Sequence, residues 1–161
     1  MKHLIFSWQN RILPRPAKNK LTAFAVRAAE LAKLPDGDWD LEILFTNDRD
    51  MAVFNADIVG HTGTTDVITL SYFDGEFPVI PGETGIELII NPDAAAREGA
   101  KRKNSSYPVE MARYLVHGLL HSAGFDDLDP VSRRTMRRKE LQLLRKLAAE
   151  NLTPESVFPA E

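Results

Sequence analysis

His117-Gly118-Leu119-Leu120-His121-Ser122-Ala123-Gly124-Phe125-Asp126-Asp127 is the stretch that decides how the rest of this 161-residue chain is read. Only four histidines occur, and two of them stand four positions apart in a segment that Pro108 opens and Gly124 breaks. At ~3.6 residues per turn the pair differs by ~40° around a helix, so both imidazoles leave one face. Val109, Ala112, Val116, Leu119, Leu120 and Ala123 form the apolar face and leave the His pair on its flank. Gly124 stands where a helix ends in the left-handed conformation, which glycine adopts without a Cβ penalty. A chain reversing there can carry Asp127 back toward the imidazoles. His117, His121 and Asp127 are therefore the candidate ligands of one metal ion, with a coordination position left for water. Packed or solvent-facing histidines are the alternative, and a structural metal is another.

The residue after the first histidine limits the chemistry. The spacing H-x-x-x-H-x-x-G-x-x-D matches the zincin-like pattern with Asp in place of the usual third His. Metalloproteases with such a helix carry Glu directly after the first His, as the base that activates water. Gly118 has no side chain, so peptide hydrolysis by that route is disfavoured. A phosphodiester asks less of a dedicated carboxylate, because a metal both acidifies water and offsets phosphate charge. Asp127 in place of an imidazole lowers the charge of the centre by one unit, which weakens both effects and admits harder ions. A His/His/carboxylate set can also hold non-haem iron(II), but nothing else in the sequence suggests oxygen chemistry; zinc, one Zn2+ per chain, comes first.

Around this motif the elements alternate. Strands are expected at His3–Phe6, Leu41–Phe45, Thr65–Leu70 and Ile86–Ile90, with a Gly/Pro loop from Asp74 to Gly82. Helices are expected over 16–34, from a cap at Asn47 or Asp48 through Ile58 to Gly60, from Asn91-Pro92-Asp93 to about Lys103, from Pro108 through His121, and from Asp129-Pro130 to about Ala149. The fold class is α/β (α+β): one domain over residues 1–161, a small mixed sheet packed by four or five helices, and the metal site on a late helix.

Composition is that of an ordinary globular protein, with 43% hydrophobic and 27% charged residues. The absence of Cys excludes disulfides, thiolate zinc sites and a Cys nucleophile. No apolar stretch approaches the ~18–20 residues that span a bilayer, and the first ten residues hold too short an apolar run for a signal peptide. The expectation is a soluble cytoplasmic protein. The net charge of −3 argues against a nucleic-acid coat over the whole surface, yet the charges are segregated. Residues 1–29 hold six bases and no acid, residues 30–98 hold fifteen acids and three bases, and residues 99–161 hold eleven bases and eight acids. Lys101-Arg102-Lys103 and Arg133, Arg134, Arg137, Arg138 and Lys139 could each track a phosphate backbone; a solvated helix face is the alternative.

HGLLHSAGFDD resembles the H-G-x-L-H-x-x-G-Y-D-H signature of the YbeY family, bacterial endoribonucleases of ribosomal RNA maturation. Thr65-Asp66-Val67-Ile68-Thr69-Leu70 is similar to that family's T-D-V-L-S-F strand, and Glu87-Leu88-Ile89-Ile90 falls where the family has its G-D-I strand. Met136, Glu140, Leu143 and Leu144 resemble its M-x-x-x-E-x-x-L pattern, so the likeness runs from about residue 41 to 146. It implies a zinc-dependent, single-strand-specific endoribonuclease in rRNA maturation and small-subunit quality control, with ribosomal RNA and the small ribosomal subunit as partners and no membrane. It also implies a four-stranded mixed sheet with about five helices. Carried over by position, His117 and His121 match two metal ligands and Asp127 stands at the third. The family's cleft Arg has no counterpart in Ile58-Val59-Gly60-His61-Thr62-Gly63-Thr64. His61 is the residue there that could bind phosphate or move a proton, a catalytic role set against that of an ordinary loop His. A non-catalytic ribosome assembly factor with a structural metal, and a metal-dependent hydrolase of a non-nucleic substrate, are the competing functions.

Overall fold

The computed structural model describes residues 1–73, 75 and 78–160; of the loop expected between Asp74 and Gly82, residues 74, 76 and 77 lie outside the described residues. The described residues form four strands, β1 (His3–Trp8), β2 (Trp39–Phe45), β3 (Val67–Ser71) and β4 (Glu83–Ile90). They also form six α-helices, α1 (Lys18–Leu31), α2 (Asp48–Phe54), α3 (Pro92–Lys101), α4 (Tyr107–Ser122), α5 (Pro130–Ala149) and α6 (Pro154–Val157). The sheet runs β1-β2-β4-β3. β1 and β4 lie parallel to β2, whereas β3 is antiparallel to β4 and forms one edge. This is the mixed four-stranded sheet expected from the sequence.

Alternation along β2 explains the layering. Trp39, Leu41, Ile43 and Phe45 are buried on the helical side, while Asp40, Glu42 and Leu44 face the other way. On the helical side, Leu4, Leu41, Ile43, Ile86, Leu88 and Ile90 share one core with Leu21, Phe24 and Ala28 of α1 and Met111, Leu115, Val116 and Leu119 of α4. The opposite face has a small second cluster, Met51, Ile68 and Ile89, packed by Leu44 and Phe54. α4 is therefore the central helix, buried on most sides, and its N-terminus is capped by Ser106, whose Oγ accepts from the Val109 N–H.

Several boundaries differ from those read in the sequence, each for a local reason. The helix expected to run from the Asn47 cap to Gly60 is α-helical only to Phe54 and continues as a π-helical turn over Asn55–Val59. Gly60, at φ +78°, does end it. β4 begins at Glu83 and β1 extends to Trp8, because partner strands supply hydrogen bonds where the apolar alternation fades. The short helix α6 has no period long enough to be read, yet it seats Val157 and Phe158 in the core.

α3 and α4 meet through a glycine. A Cβ on Gly99 would lie 2.5 Å from the backbone of Ser106 and Tyr107, atoms that cannot rotate away. Gly99→Ala should therefore cost about 1–3 kcal/mol of unfolding free energy. Urea unfolding at neutral pH reads this directly, and an unchanged midpoint would mean that the two helices are not held this closely.

Candidate metal centre

α4 projects His117 and His121 from its flank, and Gly124, at φ +102°, reverses the chain just after the helix. The returning segment brings Asp127 alongside. Asp127 Oδ2 lies 3.6 Å from Nε2 of each histidine, and the two Nε2 atoms are 3.0 Å apart. The acidic neighbour Asp126 points elsewhere, with its Oδ1 accepting from the Leu128 N–H at 3.2 Å. The sequence-derived trio is thus brought together as a group of potential metal ligands, with its donor atoms within 4.8 Å of one another.

Glu140 makes the donor set directional. Its Oε1 lies 2.9 Å from His117 Nδ1, so the ring donates there and presents its Nε2 lone pair to the trio. Nε2 and the Asp127 carboxylate then converge as acceptors, an arrangement that a cation satisfies. Two ligands at tetrahedral zinc, ~2.0–2.1 Å from the ion, would stand ~3.3 Å apart; the observed 3.0 and 3.6 Å straddle that spacing. The N, N, O donor set fits a divalent transition metal, and the residues present are the right kind to hold one.

Glu140 is almost fully buried, and its charge is supported from the protein side. Arg113 Nη1 lies 3.9 Å from it, and Arg113 in turn donates from Nε to the buried Glu110 at 2.8 Å. Burial alone would lower the Arg113 pKa, but the hydrogen bond and charge of Glu110, with the charge of Glu140, outweigh it and hold the guanidinium protonated. Ser105 and Arg102 complete the shell around Glu110. Sequence reading placed Glu140 in a helical pattern but gave it no role. The signals were its place in the M-x-x-x-E-x-x-L pattern and its standing as a lone acid among the apolar positions Met136, Leu143 and Leu147 of α5.

The trio opens into a cleft of about 490 Å³. His61 lines it, together with Asn55, Thr65, Asp66, Val67, Thr69 and Ser71. The loop carrying His61 is tied down by two buried asparagines. Asn55 Nδ2 donates to Gly63 O and Asn55 O accepts from the His61 N–H, while Asn91 Nδ2 donates to Asp48, Thr64 and Thr65. Burial alone would raise the Asp48 carboxyl, but hydrogen bonds from Arg97, Asn91 and Thr64 hold it below the usual carboxylate range. Among the described residues no Lys or Arg lines the cleft. Arg133, Arg134, Arg137 and Arg138 are exposed along α5.

A helix-borne His-x-x-x-His with a returning carboxylate, set beside the edge of a mixed sheet, defines a candidate metal-dependent hydrolase of the α/β class. The profile of the family described as Endoribonuclease YbeY matches residues 7–148, and the chain belongs to that family. Relatives named Endoribonuclease YbeY include those of Anaeromyxobacter sp. (strain Fw109-5), 37% identical over 120 residues, and Chlorobium phaeovibrioides, 33% identical over 109. These matches cover 73% and 68% of this chain, and 59% and 69% of the relatives' own lengths. The solution structure of TM1509 from Thermotoga maritima superposes with a TM-score of 0.59 over 98% of this chain and 99% of that one, at 17% identity, so the two share the fold.

The Glu140–His117 contact carries its own test. Glu140→Gln keeps the shape but loses the charge, and should lower divalent-metal affinity about 10- to 100-fold with the circular dichroism spectrum unchanged. Competition against a chromophoric chelator measures it; equal affinity would remove Glu140 from the site.

Proposed function

We propose that this chain is a metal-dependent endoribonuclease that cleaves single-stranded RNA in ribosomal RNA maturation, working on the small ribosomal subunit in the cytoplasm. The observation that carries the reading is the convergence of His117 Nε2, His121 Nε2 and Asp127 Oδ2 in an open cleft of a YbeY-family chain. Zinc is the proposed ion, one per chain, with these three residues as its ligands. When bound, it supplies a Lewis acid that acidifies water and offsets phosphate charge. Glu140 fixes the ring of His117. His61 hydrogen-bonds the phosphodiester or moves a proton to the departing oxygen. No helix among the described residues is long and apolar enough to cross a membrane.

The absence of a base after His117 has a packing reason that also weighs against peptide hydrolysis. A Cβ at Gly118 would lie 2.6 Å from Leu88 Cδ2 and 3.1 Å from Thr69 Oγ1. A glutamate side chain at this position would have to start from space that β4 and β3 already fill.

Two expectations test the assignment. Asp127→Ala should lose metal and abolish metal-dependent cleavage of single-stranded RNA. Asp126→Ala should keep the metal and cost mainly stability through the lost turn hydrogen bond. Metal analysis and gel assays on both proteins decide it, and the reverse pattern in folded protein would overturn the ligand set.

RNA affinity should also fall steeply with salt, because phosphate contacts release counterions. Replacing Arg133, Arg134, Arg137 and Arg138 together with Gln should flatten that dependence, as read by fluorescence anisotropy across a salt series. An unchanged slope would make this row of α5 solvated surface.

A further inference from the structure

β3 is an edge strand beside the metal trio, and its register fixes which backbone groups face outward. In an antiparallel pair, residues that exchange hydrogen bonds with the partner alternate with residues whose N–H and C=O point away from it. The Asn91 N–H donates to Asp66 O and the Tyr72 N–H donates to Gly85 O, each at 2.9 Å. Residues 66, 68, 70 and 72 therefore engage β4, and Val67, Thr69 and Ser71 turn their backbone groups outward. All three line the cleft with His117, His121 and Asp127.

The first of these outward donors already holds an anionic oxygen. The Val67 N–H donates to Asp66 Oδ1 at 2.7 Å, a carboxylate standing where a phosphate oxygen could. Among the described residues the ladder leaves the next two donors, the N–H groups of Thr69 and Ser71, without such a partner, and Ser71 Oγ is buried with none. Because Asp66 and Asp127 line the cleft and no Lys or Arg among the described residues does, a phosphate bound there depends, on the protein side, on donors such as His61 and the outward N–H groups of the edge.

We propose that the outer edge of β3 binds the ribose–phosphate backbone of the RNA strand, with the Thr69 and Ser71 N–H groups donating to phosphate oxygens and the Val67 and Thr69 carbonyls accepting from 2′-hydroxyls. This rests on the RNA reading above. An edge strand presents donors and acceptors in alternation, with like groups ~6.8 Å apart along the strand. RNA answers both kinds, since phosphates only accept whereas the 2′-hydroxyl can donate; DNA answers the donors alone. A duplex holds its backbone in fixed helical form, so the straight strip selects an extended single strand. An extended peptide can also add to a free edge, but the glycine at position 118 removes the base that a peptide substrate would need.

Amide NMR on the full chain, as purified, tests this with a phosphorothioate-stabilised hexauridylate that resists cleavage. The Thr69 and Ser71 resonances should move on titration while Ile68 and Leu70, held in the ladder, move far less. Hexadeoxyuridylate with the same linkages should bind roughly five- to tenfold more weakly, the loss of one or two hydrogen bonds. Ser71→Pro removes an N–H that no ladder bond uses, and should weaken RNA binding several-fold with metal content unchanged. If His61 and Thr65 respond to RNA while Thr69 and Ser71 stay still, or if RNA and DNA bind equally, the edge is not the strip and the RNA reading stands. If no cleft amide responds to RNA, both fall. If an extended hexapeptide moves Thr69 and Ser71 and RNA does not, the edge belongs to peptide.

Discussion

The contact of α4 with the sheet at Gly118 is the constraint on which the site depends. With no side chain there, the helix settles against Leu88 and Thr69 at a distance that a Cβ would violate. That approach sets the flank of α4 along the β3 edge, so the residues on either side of the glycine's turn, His117 and His121, open into the cleft that β3 lines. Interiors packed at crystal-like density transmit such placements with little slack. The same glycine thus explains two features at once: the closeness of the metal trio to an edge strand, and the lack of the glutamate that metalloproteases with such a helix carry after the first His.

The electrostatics of the cleft follow from what surrounds that helix. A row of alternating charges, the buried Glu110 and Glu140 with the half-buried Arg113 between them, runs behind His117 and ends on its Nδ1. Each charge is paired, which is the condition for keeping ionised groups out of water. On the cleft side the wall is polar and carries two acids, Asp66 and Asp127, with no Lys or Arg among the described residues. Positive charge for an anionic substrate has to come from a bound cation, with the bases of α5 acting at longer range. A carboxylate in the ligand set takes back part of that charge, so neutral donors such as the β3 edge gain importance.

The parts of this arrangement legible in the sequence were those encoded by spacing within one element. The i, i+4 histidines, the left-handed Gly124 and the return to Asp127 rather than Asp126 all depend on local geometry, and the structure has that geometry. The mixed sheet and the order of its elements followed from alternating strand and helix periods. Contacts between distant elements were not legible. Glu140 meets His117 only because α5 crosses α4, and Asn55 and Asn91 matter only because the loop at His61 folds across them. The π-helical turn at Asn55–Val59 has the same cause: its apolar period is that of an ordinary helix, and the departure appears in the backbone alone.

X-ray absorption at the metal edge of the purified chain reads the ligand set itself. The expected result is one divalent ion per chain with two imidazole nitrogens and a carboxylate oxygen at about 2.0–2.2 Å, plus a light oxygen neighbour from solvent. A chain that purifies and refolds without taking up such an ion, or an ion whose histidine scattering survives replacement of both His117 and His121, would contradict it.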